Sequence, residues 1–199
     1  MEGRKPMSVG YDEERRHRLE RVAWERLEDA VVSYRGRPVG TQAARDQALQ
    51  VLNYDQVFTR DFAVSAFAFL LAGQTDIVRN FLLEAVRLQS TERQFDCFKP
   101  GTGLIPASFK VAQDGGDECL IPDFGEHAIA RVAPVDSGFW WLLTLRAYLE
   151  VSGDRELVER ESVQAAIRMV LELCLTNRFD MFPTIASTAT GSRSTATSR

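Results

Sequence analysis

Twice along this chain, a stretch that is apolar almost all round is followed by one with a single apolar stripe. Residues 62–72 run Phe-Ala-Val-Ser-Ala-Phe-Ala-Phe-Leu-Leu-Ala and stop at Gly73, and residues 136–151 (DSGFWWLLTLRAYLEV) repeat that character ahead of Gly153. A helix without a polar face has to be surrounded by protein. After the first stretch, Ile77, Val78, Phe81, Leu82, Ala85 and Val86 line one side of a helix over 76–88, with Thr75 placed to cap it. After the second, Val163, Ala166, Ile167, Val170, Leu173 and Cys174 do the same over 162–175. A further amphipathic helix opens the chain from Asp12 to Tyr34 and stops at Gly36, and 38–41 read as a turn. An α/α toroid requires this alternation, because its inner helices touch neighbours on every side while its outer helices face water. A plain four-helix bundle would instead show four amphipathic helices of similar character. The pattern predicts an all-α fold.

Between the two helix pairs, residues 89–135 read as one long loop with at most short structured pieces. Loops of that length inside a compact domain are usually functional. Residues 1–11 read as a disordered leader. So do residues 185–199 (IASTATGSRSTATSR) as a tail, because eight Ser or Thr and one bulky apolar side chain cannot offset the entropy of ordering.

With 45% hydrophobic and 26% charged residues the composition is that of a globular protein, and a net charge of −4 offers no field for nucleic acid or an anionic membrane. Arg15, Arg16 and Arg18 are interleaved with Glu13, Glu14 and Glu20, the pattern of a solvated helix face. Cys97, Cys119 and Cys174 are odd in number and lack a C-x-x-C spacing, which disfavours a disulfide framework or a zinc knuckle. His17 and His127 are the only histidines, too few for a His-based metal site or triad. No metal and no cofactor are expected. The absence of a secretory h-region and of a run long enough to span a bilayer leads to the expectation of a cytoplasmic protein with no membrane partner.

Three clusters can carry chemistry: Asn53, Tyr54, Asp55, Gln56, Arg60 and Asp61; then Asp123, Glu126, His127 and Arg131; then Asp136, Ser137, Gly138, Phe139, Trp140 and Trp141. The first and third stand at the entrances to the two apolar helices. Asp61 and Asp136 have two readings there. They either cap their helices or belong to a sugar site, where carboxylates and amides bond hydroxyls and flat rings cover the apolar faces of the sugar. Glycoside hydrolysis needs two carboxyl groups facing each other across the bond, ~6.5–9.5 Å apart when water attacks directly and ~5–5.5 Å apart when a covalent intermediate forms.

The segments NYDQVFTRDF (53–62), FKPGTGLIPASFKV (98–111), DFGEHAIARVAPVDSGFWW (123–141) and FDMFPT (179–184) closely resemble the alkaline/neutral invertases, glycoside hydrolase family 100. The likeness extends over about residues 20–184, with His127 and Ala130 standing where Ser and Gly are expected. The resemblance implies a metal-independent β-fructofuranosidase-type hydrolase that splits sucrose, and residues 12–184 as the N-terminal part of an (α/α)6 barrel with about half of its helices. It implies that Asn53, Tyr54, Asp55, Arg60, Asp61, Asp136, Phe139 and Trp140 line the sugar pocket, and it leaves room for a homo-oligomer. It also implies inversion, with a general acid soon after the match to Phe182–Thr184 and a base much later. Ile185 onward departs from the family, so the expectation divides. One branch is a complete hydrolase using Asp61 and Asp136 as its carboxyl pair. The other is a truncated, inactive segment that binds sugar or associates with a full-length subunit.

Overall fold

The computed structural model describes residues 13–43, 55–91, 102–125 and 136–175. The expected leader and tail, and the motif at 179–184, lie outside them. Along the described chain the elements are α1 (Glu13–Asp29), β1 (Val31–Tyr34), β2 (Arg37–Thr41), β3 (Val57–Phe58), α2 (Thr59–Leu71), α3 (Thr75–Leu88), β4 (Ser108–Asp114), β5 (Asp117–Asp123), α4 (Ser137–Ser152), α5 (Arg155–Glu159) and α6 (Glu161–Cys174).

The architecture is mostly helical but not all-α. Two small antiparallel sheets interrupt it, one of order β1-β2 and one of order β3-β4-β5. The first replaces the C-terminal end expected of the opening helix. Val31 and Val32 are β-branched, and Arg35 and Gly36 both take left-handed backbone (φ 51 and 72), the conformation that closes a two-residue hairpin with the twist of its strands. Tyr34 therefore pairs with Arg37, and residues 38–41 are strand rather than turn. The second sheet fills part of the expected long loop. Gly115 and Gly116 (φ 61 and 99) make the same kind of turn, and β4 and β5 pair from Ser108–Asp123 to Asp114–Asp117. Val57 and Phe58 add a short outer strand against Phe109 and Ser108.

The core forms where α2, α3 and α4 pack on one another and against both sheets, α3 on β2 and α2 on β2 and β3, with Tyr34 and Val39 of the first sheet buried in it. Phe62 of α2, Phe81 of α3 and Phe109 of β4 are buried in a line, with ring centroids 4.5 and 6.1 Å apart. Trp141 of α4 is fully buried and donates its indole N–H to the Leu82 carbonyl at 3.2 Å. Of the adjacent tryptophans, then, one is core. The helix spacing read from the sequence holds for α3, whose Ile77, Val78, Phe81, Leu82 and Ala85 are buried, while Val86 is half-buried and Leu88 is buried in addition. Thr75 is its first helical residue and not its cap. Arg79 of α3, Tyr148 of α4 and the capping residue of α5, Asp154, are joined through one carboxylate. That group accepts from Tyr148 Oη at 2.8 Å, Arg79 Nε at 3.2 Å and the Leu157 amide at 3.0 Å.

The apolar stretches are enclosed on one side only. In α2, Phe62, Ala63, Ala66, Phe69 and Leu70 are buried, whereas Val64, Phe67 and Leu71 are exposed, Leu71 by 88%. In α4, Phe139, Leu143 and Val151 are exposed while Trp141, Leu145 and Tyr148 are buried. Helix α1 has no buried residue and touches the core through Trp24, whose ring meets Phe69 edge-on at 6.0 Å.

Candidate active site

The N-terminal ends of α2 and α4 come together through their side chains. Arg60, in the first turn of α2, reaches Asp136 at the head of α4. Arg60 Nε lies 3.1 Å from Asp136 Oδ2, and Arg60 Nη2 lies 3.3 Å from Oδ1. Trp140 Nε1 donates to the same Oδ2 at 3.2 Å. Three residues expected at a sugar site are thus one connected group, and both oxygens of Asp136 are engaged. The group is open to solvent, with side-chain exposures of 60% for Arg60 and 41% for Asp136. Phe139, next in the helix, is also exposed.

Asp136 occupies the N-cap position of α4, yet its side chain makes no capping hydrogen bond. Asp61 lies inside the first turn of α2, whose N-cap is Phe58. Asp61 is exposed, as is Asp55, while Gln56 is buried. Asn53 and Tyr54 lie outside the described residues, as do Glu126, His127 and Arg131.

A layer beneath these side chains fixes the start of α2. The Thr59 amide donates to the Ala107 carbonyl and its hydroxyl to the Pro106 carbonyl, each at 2.8 Å. Ser108 Oγ donates to Gln56 Oε1 at 2.6 Å, and both residues are buried. Asp123, also buried, accepts from the Gly125 amide at 2.7 Å. Ser108 and Thr59 are not singled out in the sequence, while Pro106 is one of the prolines of the long loop. The signal for them was the alternation Ser108–Asp114 ahead of Gly115–Gly116, a hairpin signature. At α4, Ser137 and Gly138 are buried, and a side chain at 138 would meet Val170 Cγ1 at 2.9 Å. Both helix ends are therefore held by backbone-level packing while Arg60, Asp136 and Phe139 remain accessible. Among the described residues no group of His, Cys, Asp or Glu is arranged to hold a metal ion, and no helix is long and apolar enough to cross a membrane.

A family model described as "Alkaline and neutral invertase" matches residues 23–193. The chain belongs to that family. Its match includes every residue of the Arg60–Asp136–Trp140 group. Among invertase relatives, the chain is 57% identical over 178 residues to "Neutral/alkaline invertase 1, mitochondrial" of Oryza sativa subsp. japonica, covering 85% of this chain and 28% of the relative. It is 55% identical over 178 residues to "Alkaline/neutral invertase C, mitochondrial" of Arabidopsis thaliana, covering 85% and 27%. Identity is also 55% over 178 residues to "Alkaline/neutral invertase E, chloroplastic" of the same plant, covering 85% and 29%. This invertase-family chain thus spans less than a third of the length of these relatives. Their names overturn the cytoplasmic location expected from the sequence, since these relatives are assigned to mitochondria or chloroplasts. The missing h-region bears only on the secretory route, whereas organellar transit segments are amphipathic and Arg-rich.

Proposed function

We propose that this chain forms the sugar-binding N-terminal portion of a sucrose-hydrolysing glycoside hydrolase, with its pocket at the joined ends of α2 and α4. The observation that carries the reading is the Arg60–Asp136–Trp140 group with exposed Phe139 beside it. An aligned carboxylate accepts sugar hydroxyls, and a flat ring covers the apolar face of a pyranose or furanose. Asp55 and Asp61, both exposed, supply further polar groups to the same mouth. Sequence similarity to proteins named invertases supports sucrose as the substrate.

Within this reading α2 and α4 are inner helices of an (α/α)6 barrel and α3 and α6 are outer ones, and residues 12–184 belong to one catalytic domain. The open apolar sides of the two inner helices support it, because Val64, Phe67, Leu71 and Leu143 are exposed. The same observation favours a second reading for the isolated 199 residues, that they bind sugar without turning it over. Inverting hydrolysis needs one free carboxyl group to give a proton and another to activate water. We assign Asp136 to orienting the substrate, with the lone pairs that Arg60 and Trp140 leave open accepting sugar hydroxyls.

Isothermal titration of the chain with sucrose, paired with an assay for released glucose, tests both readings. Binding that is lost in Asp136→Asn, with no glucose released, is the expected result. Undiminished binding in Asp136→Asn would remove Asp136 from the site, and turnover on the order of 1–1,000 per second would place the catalytic pair within these residues.

A further inference from the structure

We infer that Arg60 is a positioning residue, which acts on the sugar by holding the Asp136 carboxylate in the mouth of the site. The inference rests on the sugar-site reading above. An aspartate that caps a helix does so from an extended backbone, with its carboxylate on the amides of the second or third helical residue. Asp136 does not. Its backbone is helical (φ −76, ψ −13), no capping bond forms, and its two oxygens instead face Arg60 and the Trp140 indole.

The guanidinium grips the carboxylate as a planar fork from a stem that cannot drift, since Thr59 pins the start of α2 to the Pro106 and Ala107 carbonyls. An ion pair this exposed adds little to stability. Its effect is on orientation. It presents a fixed acceptor to solvent and orients the Trp140 ring beside it. Without Arg60, the carboxylate keeps only the Trp140 indole and is free to change its rotamer. Removal of Arg60 therefore separates two properties that a merely structural ion pair would change together.

The test uses the 199-residue chain with Arg60→Gln, Arg60→Lys, Asp136→Asn and the double variant Arg60→Gln/Asp136→Asn. Arg60→Gln is expected to melt within about 2 °C of the unaltered chain. Its Trp140 indole N–H resonance should move, and its sucrose affinity should fall by about tenfold. Arg60→Lys, which keeps the charge but not the fork, should recover part of that affinity. The double variant should bind within about twofold of Asp136→Asn alone, because the first change acts only through the second. Additive losses would show that Arg60 touches the sugar directly and would overturn the inference. So would a destabilised Arg60→Gln whose indole resonance stays in place. If the unaltered chain binds no sucrose, the sugar-site reading falls. The melting and resonance measurements need no sugar and still decide whether Arg60 holds Asp136.

Discussion

Replacing Gly103 with alanine should be among the costliest single-methyl additions to this chain. Gly103 has φ +91, and a Cβ there would stand 2.5 Å from the Met169 carbonyl oxygen and 2.8 Å from its carbon, in the middle of α6. Backbone inside a helix cannot rotate aside, so α6 or the 103–106 segment must move. The segment is itself tied down, since the Gly103 amide donates to Ser90 and its carbonyl accepts from Gln89 Nε2, both at 2.8 Å. Backbone strain of about 1–3 kcal/mol and overpacking of a similar ~1–3 kcal/mol give roughly 2–6 kcal/mol in all. Gly115→Ala supplies the control. Its φ is +61 with nothing within 4 Å, so it carries strain alone, about 1–2 kcal/mol. Urea unfolding followed by far-UV circular dichroism would compare the two. Costs equal within about 0.5 kcal/mol would mean that α6 yields freely and that the close approach constrains nothing.

Acid sensitivity should centre on Asp154, whose carboxyl is held below the ordinary 3.8 by the Tyr148 hydroxyl first and the Leu157 amide next. A depressed folded-state value gives stability that is present above the unfolded value and lost as pH falls through the folded one. Asp154→Asn should therefore lower stability at pH 7 and flatten the decline below pH ~4, and an unchanged acid limb in denaturant titrations would contradict this. Tyr148 has its hydroxyl pushed up by burial and by Asp154, so its contribution should fade as pH rises past 10, and Tyr148→Phe should remove that alkaline loss. Trp141→Phe should cost about 1–3 kcal/mol through the lost bond to the Leu82 carbonyl and the space left in the core, with a chemical melt showing a smaller change if the core closes over it. Leu71→Lys should leave the stability of this chain unchanged within about 0.5 kcal/mol, since the side chain is almost fully exposed, and a large loss in the same assay would show that the side chain is covered.

The parts of the fold legible in the sequence were those written in helical periodicity. Helix α3 follows its stripe from Ile77 to Leu88, and α4 ends at Gly153 where the sequence stops it. The sheets were not read, although both hairpin turns carry their signals in Arg35–Gly36 and Gly115–Gly116. Val31 and Tyr34 fell into helical register with the preceding stripe, and that coincidence concealed a strand. The interval 89–135 was judged by its glycines and prolines, which mark turns but say nothing of the strands between them. At the site, residue types were legible and geometry was not. Asp136 at a helix start reads as a cap first and as a ligand-facing group second, and its pairing with Arg60 and Trp140 across two helices is not visible in the spacing.

The three tryptophans, Trp24, Trp140 and Trp141, allow the central claim to be tested in one spectrum. Trp24 lies on α1 against Phe69, Trp141 is sealed in the core on the Leu82 carbonyl, and Trp140 is bonded to Asp136 at the joined helix ends. Sucrose added to the chain, observed through the indole N–H resonances, should move the Trp140 signal progressively to saturation and leave those of Trp24 and Trp141 in place. Three unmoved signals, or a shift confined to Trp24, would contradict a sugar site at the ends of α2 and α4.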